Sequence, residues 1–194
     1  MKVYNTIVSR RTIRKFRQKP IKLSILKRMV NAGRLAPSAG NLQPLEYVIA
    51  VDDALREKIF PNVRWARYIA PEGNPKNNER PVAYIIILVN KEISFGSFFK
   101  YDVGASAENI TLAALEEGIG CCWIGSFNRV KIQNILKITK EYRADLVLAL
   151  GYPLENPEYY DIEKGKSIKY YKDTWGVLHI PKRKLADIVH IDYF

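Results

Sequence analysis

Hydrophobic and polar positions along the chain switch repeatedly between helix period and strand character. Tyr4, Ile7 and Val8 share one side of a short helix predicted over Val3 to Ser9. A stronger stripe follows at Ile25, Leu26, Met29 and Val30, with Ser24 placed as its N-cap. Pro37 ends that helix by Ala36, because a proline ring crowds the preceding residue out of helical geometry. Tyr47 to Val51 reads as a strand and Ala54 to Phe60 as a short helix. Val82 to Val89 is continuously apolar and rich in β-branched residues, which suits a strand covered on both faces. The longest helix runs from a cap at Asp102 to about Glu117. Its early face, Gly104, Ala105, Ser106 and Ala107, is small enough for another backbone to come close, and Ile110, Ala114 and Leu115 continue the buried side. Cys121 to Gly125 is a short apolar segment, and Val130 to Leu136 is a further amphipathic helix. Leu146 to Leu150 is a second buried strand ending at Gly151, and the tail from Ala186 to Phe194 has strand composition. Helices alternating with strands give an α+β or α/β class, a sheet covered by helices.

Two segments break the pattern. Pro37 to Pro44 is a loop dense in turn residues. Residues 61–81 hold four prolines, four asparagines and one glycine around Trp65, Arg67 and Tyr68. An irregular stretch of that length is usually a lid or a binding loop. No internal repeat or low-complexity tract occurs.

Composition narrows the picture. At 194 residues one domain spanning 1–194 is expected, with 47% hydrophobic and 26% charged residues excluding wholesale disorder. The longest apolar run is about a strand long, far short of a membrane span, and no secretory h-region opens the chain. The two cysteines are adjacent and cannot staple a fold, so a reducing cytoplasm is the expected compartment. With only His179 and His190 available, no metal site is expected.

Charge changes the picture most. Lys and Arg number 31 against 20 acids, and eleven of the basic residues precede the first acid, Glu46. The rest of the chain carries 20 of each sign. The question is whether that basic quarter meets a polyanion or one small anion. Arg10, Arg11, Thr12 and Arg14 are grouped at a helix-to-extended transition, with Ile13 and Phe16 as apolar anchors. Guanidinium groups grip a phosphate through paired hydrogen bonds, and a hydroxyl can add another. In the proline-bounded loop, Ser38, Asn41 and Gln43 offer hydroxyl and amide groups that can read a polar ring edge or a ribityl chain.

Other chemistry is excluded. The run Gly118-Ile119-Gly120-Cys121-Cys122-Trp123-Ile124-Gly125 lacks the third glycine of a dinucleotide fingerprint and follows a helix where a strand is required. The cysteines have no nearby histidine in sequence and read as buried inert thiols. Nucleophile elbow, phosphate-loop and zincin motifs are absent, and no pair of carboxylates is placed for glycoside hydrolysis. No catalytic side chain is named. Such a chain either borrows its chemistry from a cofactor or is not an enzyme.

Taken together, five blocks resemble the nitroreductase-like family of FMN-dependent oxidoreductases. They are residues 9–16, residues 34–44, residues 102–109, residues 118–125 and residues 148–153, in the family's order and over most of the chain. The resemblance implies an α+β fold with a mostly antiparallel central sheet flanked by helices. It implies an intertwined homodimer whose C-terminal arm, about residues 186–194, exchanges a strand with the partner. Arg10, Arg11, Thr12 and Arg14 would hold the FMN phosphate and ribityl chain. Pro37, Ser38, Ala39 and Asn41, with Gln43 beside them, would reach the flavin held mainly by the other subunit. Trp123, Ile124 and Gly125 would lie against the isoalloxazine, and Arg183 or Lys184 would add basic contacts by the phosphate, ahead of Lys182. In the loop at 61–81, Trp65, Arg67 and Tyr68 occupy the substrate-selecting region; the rings either stack on an aromatic acceptor or pack the loop's own cluster.

The reading that follows is an FMN enzyme passing a hydride from NAD(P)H to a small aromatic, nitro or quinone-like acceptor in a ping-pong cycle. It is cytoplasmic and acts without nucleic acid or membrane. Two alternatives come from other classes. One is a nucleic-acid-binding protein using the basic quarter. The other is a flavin-binding sensor or carrier without turnover.

Overall fold

In a computed structural model describing residues 2–94 and 96–193, the chain runs α1 (Val3–Ser9), β1 (Phe16–Arg17), α2 (Leu23–Arg34), β2 (Leu45–Ala50), α3 (Asp53–Ile59), β3 (Ala83–Asn90), α4 (Phe99–Glu116), β4 (Gly120–Ile124), α5 (Arg129–Ile135), β5 (Tyr142–Pro153), β6 (Glu158–Ile162), β7 (Tyr171–Lys172) and β8 (Leu178–Arg183). The β-branched run of β3 sits inside the larger sheet. It pairs antiparallel with β2 from Leu45↔Val89 to Ala50↔Tyr84, and with β5 on its other side. The far side of β5 takes β4 (Gly120↔Gly151 to Ile124↔Val147) and, at its end, β1 (Phe16↔Pro153). All four pairings are antiparallel, so the class is α+β.

Side chains of β3 alternate between two apolar layers, as a pleated strand requires. Ile85, Ile87 and Val89 meet Leu26 and Met29 of α2 and Val103, Ala107 and Ile110 of α4. Tyr84, Ile86 and Leu88 meet Ile59 of α3 and Ile132 of α5. Helices cover both faces, which is why this strand has no polar alternation.

Several expected boundaries move. Ser24 is not a cap: α2 starts two residues earlier than that cap implies, at Leu23, with Lys22 at the cap position and no side-chain cap bond. Asp102 is not a cap either, because α4 begins a turn sooner at Phe99 and Asp102 is buried inside it. Ser106 and Ala107 of the small face of α4 pack within the same chain, while a Cβ on Gly104 would meet nothing within 4 Å. A Cβ on Gly33 of α2 would lie 2.7 Å from Ile110 and 2.9 Å from the Ser106 hydroxyl, so α2 and α4 touch only because that position is glycine. Gly118 ends α4 in the left-handed region (φ +68°), with the amides of Gly118 and Ile119 donating to the carbonyls of Leu115 and Ala114. That is a Schellman cap, and it accounts for the first glycine of the Gly-Ile-Gly run.

The tail departs further. A 3-10 turn covers Leu185–Asp187 and no strand follows in the described residues; Phe194 lies outside them. Instead a second sheet, in which β8 pairs parallel with β6 and antiparallel with β7, forms from a region not read as strand. Four of the five residues of β6 are exposed and β8 buries only Leu178 and Pro181, so neither carries an apolar period that could announce it. No helix among the described residues is long and apolar enough to cross a membrane.

Candidate functional site

The basic motif is held by two glycines of the sheet. A Cβ on Gly120 would be 2.7 Å from Ile13, and one on Gly151 would be 2.7 Å from Phe16. These glycines let the stretch from Thr12 to Phe16 lie directly on β4 and β5, with Thr12 bridged to Cys121 and the Ile13 amide donating to the Cys121 carbonyl at 3.1 Å. Ile13 and Phe16 point into the second apolar layer, and Arg14 and Lys15 between them are not part of it. Glu155 completes the mount. Its Oε1 accepts the Arg14 amide at 2.6 Å and the Lys15 amide at 3.3 Å. No sequence signal singled out Glu155; it lies two residues beyond the last recognised block.

The guanidinium groups are treated unequally. Arg10 Nε lies 3.3 Å from Glu108. Arg11 donates to the carbonyls of Val8 (2.7 Å) and Arg10, and lies 4.1 Å over the ring of Tyr159. Partial burial holds its pKa below the ordinary arginine value, with Tyr159 opposing the shift and Arg10 adding to it. Arg14 lies 5.1 Å over the ring of Tyr170. Of the three, only Arg10 has a carboxylate ion-pair partner among the described residues. Arg10, Arg11, Ser9, Cys121, Glu155 and Asn156 line a cavity of about 140 Å³. That is below the roughly 300–1,000 Å³ of small-molecule sites, too small for a whole cofactor.

The amide loop lies elsewhere. Asp102, buried in α4, accepts the Ala39 amide at 3.0 Å, and the Ser38 hydroxyl accepts the Gln43 amide at 3.0 Å. Gly40, Asn41 and Gln43 all have positive φ, the last two at +54° and +51°. Left-handed backbone is costly for non-glycine residues and persists where the surroundings dictate it, often at functional sites. Pro37, Ser38, Gln43, Arg34, Glu46 and Asp102 line a second cavity of about 360 Å³. None of the basic-motif arginines lines it. Within one chain, therefore, Arg10 and Arg11 line one cavity and Pro37, Ser38 and Gln43 another.

The remaining candidates divide. Trp123 is 39% exposed and its Nε1 donates to the Thr111 hydroxyl at 2.7 Å, pinning the indole against α4. Ile124 turns its side chain into the second apolar layer, so only its main chain can face a ligand, and Gly125 is exposed with open space around it. Arg183 donates to the Asp187 carbonyl at 3.0 Å and Lys184 pairs with Glu163; neither lines the Arg10–Arg11 cavity. Trp65 packs inward, 5.8 Å from the Phe60 ring and against the second apolar layer. Its contacts within this chain are those of the packing role, which hides the apolar area of the indole in the loop's own cluster. Tyr68 is 45% exposed and meets Tyr170 edge-on at 5.1 Å.

Cys121 and Cys122 are buried, and burial pushes their thiols up to about 12 and about 11. At pH 8 the folded protein should therefore give no reaction with Ellman's reagent, while the urea-unfolded chain releases two equivalents. Reaction of either thiol in the native state at the unfolded rate would contradict the packing of β4. Among the described residues no cluster of His, Cys, Asp or Glu could hold a metal ion.

Comparison with known proteins places these features. The profile of the nitroreductase family matches residues 7–152. A protein of Methanothermobacter thermautotrophicus named "Putative NADH dehydrogenase/NAD(P)H nitroreductase" is 28% identical over 164 residues, covering 81% of this chain and 80% of its own. A nitroreductase family protein of Clostridium novyi has a solved structure that superposes with a TM-score of 0.67 at 28% identity, over 79% of this chain and 87% of that one. An FMN-dependent nitroreductase of Clostridium difficile shares the fold at 21% identity, with a TM-score of 0.69 over 98% of this chain and 99% of that one.

Proposed function

This chain belongs to the nitroreductase family, an oxidoreductase family, and we propose that it works as a homodimeric FMN enzyme reducing a small aromatic, nitro or quinone-like acceptor with NAD(P)H. The observation that carries the reading is that Arg11 and Arg14, three residues apart in the motif, have no carboxylate ion-pair partner among the described residues, Arg11 lying over the ring of Tyr159 and Arg14 over that of Tyr170. Cations held against rings and carbonyls are open to charge-assisted hydrogen bonds from a phosphate dianion. The FMN-dependent relative with the same fold supports the choice of group.

When bound, FMN supplies the hydride transfer itself, accepting from NAD(P)H and passing on to the acceptor in a ping-pong cycle. The protein's own residues bind and orient. Arg10, Arg11, Thr12 and Arg14 hold the phosphate end, on a backbone clamped by Glu155. Pro37, Ser38, Ala39, Asn41 and Gln43 offer main-chain and amide groups to the polar edge of the ring, in a loop fixed by Asp102. Trp123 and Gly125 give a flat, open wall at the end of β4. Because the loop and the arginines face different cavities in one chain, a complete site needs the loop of a second copy. Apolar surface at both ends of the chain agrees: Val3 and Tyr4 of α1 and Ile191 and Tyr193 of the tail are each more than 70% exposed. A C-terminal arm crossing to the partner would cover part of it. Arg183 or Lys184 would reach the phosphate only once that arm is placed.

The test is direct. Purified protein reconstituted with FMN should retain it through gel filtration as a dimer, and anaerobic NADH or NADPH should bleach its yellow colour. No flavin binding at micromolar concentration would overturn the reading. Binding without bleaching by either nucleotide would point instead to a flavin carrier.

A further inference from the structure

The loop at 61–81 and the basic motif meet through two tyrosines. Tyr68, from the loop, and Tyr170, just before β7, stand edge-to-face at 5.1 Å, with the Tyr68 amide 3.4 Å from the Tyr170 hydroxyl. Arg14 lies over the Tyr170 ring, so the pair adjoins the residue that the proposed function gives to the cofactor. Two more cations flank Tyr68: the Arg67 guanidinium carbon at 6.0 Å from the ring centroid and Lys169 Nζ at 5.9 Å. Both distances are at the outer limit of a useful cation–π contact, so the rings do little to hold these side chains. Neither Arg67 nor Lys169 has an ion-pair partner among the described residues, in contrast to Arg28, Arg56, Arg80 and Lys184 elsewhere on the surface.

We propose that Tyr68, Tyr170, Arg67 and Lys169 form an acceptor subsite selective for a planar aromatic ring carrying a carboxylate. This rests on the reading of the chain as an FMN oxidoreductase and narrows its substrate class. An electron-poor ring packs against the tyrosine pair, with Tyr68 the more exposed of the two. Its carboxylate meets Arg67 and Lys169, two cations that lie over the Tyr68 ring at 6.0 and 5.9 Å and have no ion-pair partner among the described residues. A neutral ring of the same shape makes the first contact and forgoes the second.

The probes are 4-nitrobenzoate and its neutral isostere 4-nitrobenzamide. Equilibrium dialysis against the oxidised protein without nicotinamide reads binding alone, and steady-state kinetics with NAD(P)H reads turnover. At low salt the carboxylate should bind, and show a KM, about three- to tenfold below the amide, the size expected of two partly exposed charge pairs. The preference should shrink as ionic strength rises. Arg67→Gln combined with Lys169→Gln should abolish it, bringing the carboxylate's constants to those of the amide. Equal affinity for the two probes, or a preference that survives the double substitution, overturns the proposal. Absence of turnover with both probes, alongside selective binding in dialysis, would instead count against the FMN oxidoreductase reading.

Discussion

Replacing Phe16 with alanine is expected to cost about 3–5 kcal/mol of folding stability, the range for emptying a buried aromatic site. Phe16 is fully buried in the second apolar layer, and its ring rests on Gly151, where even a Cβ would clash. The cavity cannot close easily, because the wall beneath the ring is the backbone of the long strand β5 paired on both sides. For a chain of this size each kcal/mol lowers the melting temperature by about 2–4 °C, so a fall of roughly 6–20 °C should appear in thermal unfolding. Phe16→Leu keeps most of the volume and should lose far less. The same change should also weaken flavin binding, since Phe16 is the anchor on which Arg14 and Lys15 are mounted. A loss under about 1 kcal/mol for the alanine variant would mean that the motif is not seated on the sheet.

Removing the guanidinium of Arg14 should weaken FMN binding by about 1.5–3 kcal/mol, roughly 10- to 150-fold in Kd, the worth of a charge-assisted hydrogen bond. The side chain has no carboxylate to neutralise it and its main-chain amide is tied to Glu155, so its place beside the motif does not depend on the side chain. Arg14→Ala should therefore fold normally. Arg28→Ala is the matched control. Arg28 bridges Glu116 and Glu117 on α4, away from the motif, and its loss should leave flavin affinity unchanged. Fluorescence titration of the flavin-free variants measures both. Equal affinity in Arg14→Ala and wild type would remove Arg14 from the phosphate site.

The Arg28 contrast bears on the charge asymmetry of the chain. Eleven basic residues without an acid look, in one dimension, like a surface for a polyanion. Folding returns acids to several of them. Arg10 meets Glu108, Lys15 meets Glu79 at 3.0 Å, and Arg28 meets Glu116 and Glu117. Lys19 lies over the Tyr152 ring and Arg17 donates to the Pro153 carbonyl. The partners come from tens to more than a hundred residues away, so no local count could find them. What folding leaves without acids in the motif is Arg11 and Arg14, which the proposed function reads as a site for one small anion rather than a basic face.

The elements with strong period were legible in advance because one or both of their faces are buried. The continuous apolar run of β3, the stripe of α2 and the buried side of α4 each report a layer they must meet, and the helix–strand alternation allowed a sheet covered by helices. The ordered blocks added the antiparallel sheet and the family. Tertiary structure alone decided matters that depend on distant contacts: the burial of Asp102 to hold the Ala39 amide, the clamp of Glu155 on the arginine motif, the use of Gly120 and Gly151 as seats for Ile13 and Phe16, and the turn of Trp65 inward while Tyr68 stays out. Periodicity records how a residue relates to its neighbours in the chain. It is silent about which side chain, a hundred residues on, will lie within hydrogen-bond reach.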